Sequence, residues 1–442
     1  LFDWTVELLA RELILNAPER GERALVTWND FAKAGNLIRD IEGKAWSQLP
    51  NGADLIHYEI VRIAHRQFPW QIQPNSRLIA SYYRLYSNDH LAPLVQKVFG
   101  MSARELFQIG VSLSGHFLSE PFLRLPAINQ LNAASDAVVT DFLRRFSLPT
   151  GALRERMQQA QSYNVNWAYA FDPLRTFPLI EVSADRLFCP MPTLLLWRFT
   201  EGVYFDLVQE RVAFDRAFGP AFQDLAQDVV RAASIDRRLQ VLPEARYGTK
   251  ARPKDSVDLI VQDETAVLFV ECKASRLKAQ AKVDINDTAV INGEIDRLAG
   301  FVAQLYATLA DALDGAYPHW KPDGRPVYPL VLTLDEWLPS GRLLNDAFEE
   351  AVRAKLGERG VPLELLEERP FTLCSLQEFE AAAQIMARVG VGPVMAGKTA
   401  NEQRTWAMSP FLQTAYRAEM NELDNLFADE WDDLMRGPGR HP

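Results

Sequence analysis

The sequence predicts a mixed α/β protein: one sheet of parallel and antiparallel strands with helices on both faces, preceded and followed by helical regions. Three observations predict it. Two β-rich runs, residues 257–261 (VDLIV) and 266–272 (AVLFVEC), are separated only by the turn-forming QDET. A long apolar-periodic run over 288–313 reads as a helix. Residues 327–334 (VYPLVLTL) then read as another strand. A hairpin makes the first two strands antiparallel neighbours, and a helical crossover of that length returns the last one in parallel.

Taken in order, residues 1–170 read as a mainly helical domain. Apolar residues recur at helical spacing over 4–15, 55–65, 78–86 and 134–146, with Ser135 and Asp136 at the start of the last. Pro69, Pro74, Pro121, Pro126 and Pro149 separate the pieces. Residues 171–335 read as the α/β core. Its lead-in is a pair of short strands, 177–182 and 186–189, around a turn at Ser183, Ala184 and Asp185, and then one buried helix over 194–208. A helix over 215–233 carries Phe218, Phe222, Leu225, Val229 and Val230 at helical spacing, and a strand is expected within 240–247. The order is therefore helix, three strands, helix, strand. Residues 336–442 read as helical around 343–356, 376–389 and 411–427, with an acidic tail that is either solvated or a protein-binding surface.

A chain of 442 residues implies two or three domains. Hydrophobic residues make up 48% and charged residues 24%, as in ordinary globular proteins. The net charge of -11 argues against a protein that coats duplex DNA indiscriminately, so nucleic-acid contact requires a local basic surface. Cys189, Cys272 and Cys374 form no CxxC pair, which speaks against a disulfide scaffold or a zinc finger and for buried thiols in a reducing compartment. No run of 18 apolar residues occurs, so no membrane helix is expected. With no signal peptide visible, the expected location is the cytoplasm.

The chemistry concentrates in the hairpin. Glu271 and Lys273 are two apart on a strand and share a face, while Cys272 points the other way. A hairpin symmetric about the Glu264–Thr265 bond sets Val261 opposite Leu268 and Asp258 opposite Glu271, with side chains about 5 Å apart. Two carboxylates so placed repel one another, and a divalent cation relieves this. Mg²⁺ takes oxygen ligands and often only one or two carboxylates. Asp258, Glu271 and the backbone carbonyl of Cys272 suit it. Lys273 is placed to orient the attacking water and to offset charge in the transition state.

An acid on one strand followed by Glu271-Cys272-Lys273 on the next resembles the signature of the PD-(D/E)xK nuclease superfamily, whose members include restriction enzymes, recombination exonucleases and resolvases. The resemblance covers about residues 215–335. It implies a restriction-endonuclease-like core (αβββαβ) and cleavage of DNA, less often RNA, with Mg²⁺ or Mn²⁺. Val257 stands where the signature has proline. Family members often carry a glutamate on the first helix; the segment from Gly219 to Gln223 resembles that region and puts Gln223 at the position, with Asp224 and Asp228 nearby. Gln304 resembles a glutamine that some members use near phosphate.

Local charge fits a phosphate track: residues 246–282 hold eight bases against five acids. Competing motifs are weaker. Residues 392–399 (GPVMAGKT) match the Walker pattern, but a helix precedes them and too little chain follows for the sheet a phosphate loop needs; a glycine-bearing surface loop is the plainer reading. His57, His65, His90, His116, His319 and His441 show no metal spacing. GVSLSG at 110–115 is not a nucleophile elbow. Aromatic residues at 164–169 and 197–204 read as core rather than base-stacking platforms. The sequence thus leads to an expected Mg²⁺-dependent endonuclease acting on DNA, whose helical N-terminal domain or acidic tail would meet a protein partner. By analogy alone it resembles phage-defence effectors. The alternatives are a silent nuclease fold used for binding and a nuclease of RNA such as tRNA.

Overall fold

The computed structural model describes residues 2–18, 24–48, 55–71, 74–126, 134–234, 238–278, 281–282, 288–336 and 342–436. His441, the side chain of His57 and tail residues 437–442 lie outside the described residues. The chain forms two compact units, 1–55 with 62–217 and 428–442, and 56–61 with 218–427. The chain passes from the first unit into the second after residue 217.

The first unit is mainly helical. Asp3–Asn16, Ser76–Tyr86 and Asp136–Phe146 lie where the spacing puts them. Pro69 does not break its helix, which runs from Leu55 to Gln71. Proline removes one helical hydrogen bond, and the next residue, Trp70, is buried against Trp197 with ring centroids 4.4 Å apart. The strands at Leu179–Ser183 and Arg186–Phe188 form as expected, but they belong to this unit. They pair with two short strands in the helical region, Phe122–Arg124 and Ser147–Pro149, in a four-stranded sheet. The single helix expected over 194–208 is two, Pro192–Phe199 and Val203–Leu207. The chain folds back between them so closely that a Cβ at Gly202 would sit 2.6 Å from the Arg198 carbonyl oxygen. The acidic tail is not merely solvated. Helix Ala428–Met435 buries Leu434, and its acids pair with bases of the same unit: Glu430 with Arg84 at 2.9 Å and Asp433 with Arg104 at 3.0 Å.

The second unit holds a five-stranded sheet. The elements that position the site are α1 (Val212–Ala233, entering the unit at residue 218), β1 (Gln240–Pro243), β2 (Arg246–Thr249), β3 (Arg252–Asp255), β4 (Leu259–Gln262), β5 (Val267–Lys273), α2 (Thr288–Leu313), β6 (Val327–Thr333), α3 (Arg342–Arg359), β7 (Thr372–Ser375), α4 (Leu376–Val389) and α5 (Val391–Thr399). The strand order is β7-β6-β5-β4-β1. β1 with β4 and β4 with β5 pair antiparallel, while β5 with β6 and β6 with β7 pair in parallel. This is a mixed sheet, and the long helix α2 is the crossover that makes β6 parallel to β5.

Several features depart from the sequence reading, among them the helix expected over 411–427, which is two short ones, Met408–Ala415 and Arg417–Met420. The strand expected over 240–247 is two pieces, and the second, β2, leaves the sheet to pair with β3 in a separate ribbon. β7 lies in the region read as helical; Ser375 ends it and at once caps α4 through a reciprocal box with Glu378.

Val267, Phe269, Ile260 and Val331 pack on one face against Leu298, Val302 and Leu305 of α2 and Phe348 and Val352 of α3. Leu268, Val270, Leu330 and Leu332 alternate to the other face and are equally buried. Burial on both faces explains why these strands read as continuous apolar runs.

The Walker-like segment is neither a phosphate loop nor a surface loop; it is helix α5. The Asp263 carboxylate and the Thr265 hydroxyl, both from the hairpin turn, accept the N–H groups of Val391 (2.9 Å) and Gly392 (2.8 Å). The anion-binding end of the helix is therefore already occupied. Lys398 is buried and donates to the carbonyls of Gln403 and Arg404. The glycines serve close packing: a Cβ at Gly392 would meet Thr265 at 3.0 Å.

Candidate active site

The QDET turn sets the hairpin register. β4 and β5 pair as Leu259 with Val270, Ile260 with Phe269, Val261 with Leu268 and Gln262 with Val267. The ladder ends at Leu259, and Asp258 lies one residue beyond it. There the Tyr317 hydroxyl accepts the N–H of Val257 at 2.9 Å, a partner for backbone that the sheet no longer pairs. The Asp258 carboxylate then bridges two elements. Oδ2 accepts the N–H of Cys272 at 2.5 Å, and Oδ1 accepts Nε2 of Gln223, from α1, at 2.5 Å.

Glu271 is 2% exposed, and its Oε1 lies 2.7 Å from Nζ of Lys273. Lys273 Nζ also donates to Oε1 of Gln304, on α2, at 3.2 Å, and sits 5.5 Å from the centre of the Phe301 ring. The structure thus gathers Asp258, Glu271, Lys273, Gln223 and Gln304 in one place. The Cys272 thiol is buried, and burial holds it well above the usual thiol range, so the residue serves the cluster through its backbone.

Burial and then the neighbouring charge of Glu271 push the Asp258 carboxyl up to about 8, against the opposing pull of Lys273 and the Cys272 N–H. An acid in this state favours a proton or a cation beside it. The described residues include no group of three or more acids, histidines or cysteines placed to hold a metal, so the acidic donors of this site are two carboxylates. That donor set of hard oxygens fits Mg²⁺ or Mn²⁺ supplemented by water and substrate oxygen.

Glu244 was missed by sequence reasoning. β1 pairs with β4 as Pro243 with Leu259, so the next step along both chains brings Glu244 towards Asp258. Partial burial and then Asp255 and Glu271 raise the Glu244 carboxyl. The available signal was a second antiparallel register, and it needed the end of β1, which the pattern over 240–247 does not mark. Asp224 and Asp228 stand near Gln223 in sequence, but the α1 side chain that reaches Asp258 is Gln223; Asp228 pairs with Arg231 at 3.3 Å.

No family model matches this chain, and no curated protein or solved structure matches it.

The basic stretch is less positive than its count. Arg246 pairs with Asp255, Lys254 with Asp311, Lys278 with Glu294, and Arg276 and Lys282 with Asp335. Among the described ion pairs, Lys250 and Arg252 have no acidic partner. Of the aromatic candidates, Trp167 is fully buried and Trp197 nearly so, as core residues. GVSLSG lies within helix Ala103–Ser119, where a Cβ at Gly110 would collide with the Phe199 ring.

Proposed function

We propose that this protein is a divalent-metal-dependent nuclease of the PD-(D/E)xK kind, with a restriction-endonuclease-like core, and that it hydrolyses DNA phosphodiester bonds. The observation that carries the reading is the pair of buried carboxylates, Asp258 and Glu271, at the edge of a strand pair with Lys273 beside them. Two nearby acids out of water are costly without a cation. With the β2–β3 ribbon set aside, the main-sheet order α1, β1, β4, β5, α2, β6 supports the same reading.

Asp258, Glu271 and the Cys272 carbonyl are the oxygens that would hold Mg²⁺ or Mn²⁺. Bound there, such an ion supplies Lewis acidity and neutralises the facing carboxylates. The chain's own groups do the rest. Gln223 and the Cys272 N–H fix the Asp258 carboxylate from two directions. Lys273 holds its proton at Nζ, orients water towards phosphorus and offsets the charge that grows on the phosphate oxygens. Gln304 and Glu271 hold that ammonium in place.

The test is cleavage of plasmid DNA, linear DNA and total RNA with Mg²⁺ or Mn²⁺, in wild type, Glu271→Ala and Lys273→Ala. Metal-dependent DNA cleavage lost in both variants is expected. Cleavage that survives both variants removes the site, and RNA as the only substrate cut changes the target. No cleavage of any substrate favours a nuclease fold used for binding.

A further inference from the structure

We infer that the β2–β3 ribbon is a docking finger for B-form duplex DNA, with Lys250 and Arg252 at its tip as phosphate contacts. This rests on the nuclease reading for its biological sense, but its geometry stands independently.

The ribbon is an excursion from the sheet. The chain leaves β1 after Pro243, forms the pairs Arg246 with Asp255, Tyr247 with Lys254, Gly248 with Pro253 and Thr249 with Arg252, and returns to β4. Its base is fixed. The Ala245 carbonyl accepts the Ser256 N–H at 3.0 Å, and the Ala245 N–H donates to the Ser256 hydroxyl at 2.8 Å. Tyr247 is buried, its ring centre 5.0 Å from that of Tyr317, and its hydroxyl donates to Asp311 at 2.6 Å. Lys254 reaches the same carboxylate at 2.6 Å. One side is thus anchored on α2, while β3 and the tip stay exposed.

The exposed end carries charge without compensation. Asp255 takes Arg246 and Asp311 takes Lys254, which leaves Lys250 and Arg252 without an acidic partner among the described ion pairs. In a chain of net charge -11 that is a local reversal of sign. Two free ribbon edges also invite pairing with other chains, and the basic residues and Pro253 oppose this. Edge protection does not require rigid anchoring, however, and this ribbon is anchored.

Position completes the argument. The ribbon emerges between β1 and β4, whose ends carry Glu244 and Asp258. Its base lies next to the site, since Pro243 pairs with Leu259 and Ala245 is bonded to Ser256 on either side of Glu244 and Asp258. Ser256, which closes the ribbon's base, is two residues before Asp258. The shape selects the occupant. A B-form major groove, roughly 12 Å wide, admits a two-stranded ribbon. The major groove of A-form RNA is too narrow for side chains to enter.

The experiment is fluorescence anisotropy of a labelled DNA duplex, and of an RNA duplex of the same sequence, against salt concentration in EDTA. The full chain is compared with Lys250→Ser/Arg252→Ser and with an equal charge change at exposed helix positions, Lys33→Ser/Arg39→Ser. The ribbon variant is expected to bind DNA about tenfold or more weakly and to lower the slope of log K against log salt by about 1.8, at roughly 0.9 per lost phosphate contact. The control and the RNA duplex should show neither change. DNA binding that equals wild type or matches the control, an equal loss on RNA, or no DNA binding by wild type overturns the inference. DNA cleavage with ribbon-independent binding sinks the ribbon alone. Ribbon-dependent binding without cleavage under any metal supports the ribbon and sinks the nuclease reading.

Discussion

The backbone N–H of Cys272 donates to Oδ2 of Asp258 across 2.5 Å. The ladder between β4 and β5 has already ended at that point, so a side chain continues what backbone pairing began. The bond orients Asp258 beside Glu271 and uses the same residue whose thiol points into the core.

Asp258→Asn tests the electrostatics of the metal-free site. Its folded pKa, about 8, lies above the ordinary value of 3.8. A raised acid contributes stability that is present below the unfolded value and is lost as pH rises through the folded one. Metal-free wild type should therefore lose stability between about pH 4 and 8, and the variant should lose less. At pH 8 the variant should melt roughly 4–8 °C higher, for about 2 kcal/mol of relief. Mg²⁺ or Mn²⁺ should raise the melting temperature of wild type only. Thermal scans that show equal pH slopes for the two proteins would contradict this.

Gln223 separates positioning from charge. Gln223→Ala leaves one Asp258 oxygen without its partner and should lower kcat by about 10- to 100-fold with KM little changed. Gln223→Glu adds a third carboxylate. It should lower the metal-free melting temperature and tighten Mn²⁺ binding by roughly tenfold, equivalent to about 1.4 kcal/mol. Calorimetric titration with Mn²⁺ reads the second effect directly, and unchanged affinity would count against metal held at Asp258.

Tyr317→Phe removes the acceptor for the buried N–H of Val257. An unsatisfied buried donor costs about 1–3 kcal/mol. Hydrogen exchange at Val257 should speed up before the rest of β4 does. An unchanged exchange rate would show that another group takes the bond.

Lys398 provides the test of the Walker-like segment. Burial pushes its amine down to about 8. A base lowered in the fold is penalised when charged, and the penalty fades as pH rises through its folded value towards its unfolded one. Lys398→Met should thus gain on wild type near neutrality, with that gain shrinking between about pH 8 and 10. Millimolar ATP should shift the melting temperature of neither protein; a shift in wild type alone would restore the phosphate loop.

Local pattern carried much of the architecture. The QDET turn and the alternation on either side are short-range features, so the β4–β5 register could be read before the fold was known. The bounds of α2 were equally plain, because one apolar face persists over many turns. Short strands were not: Phe122–Arg124, Ser147–Pro149 and Thr372–Ser375 are too brief to show a period, and partners distant in sequence define them.

The sequence by itself determined that Asp258, Glu271 and Lys273 would meet, because a tight hairpin leaves their separation no freedom. Only the tertiary structure decided that Gln223 and Gln304 complete the cluster, that Glu244 stands at its margin, and that most of the nearby bases are neutralised. Gln223 and Gln304 lie 35 and 31 residues from the groups they meet, and their approach is set by how α1 and α2 pack on the sheet. The same reason explains α5, where a motif suited to phosphate became a packed helix because Asp263 and Thr265 reached its N-terminus first.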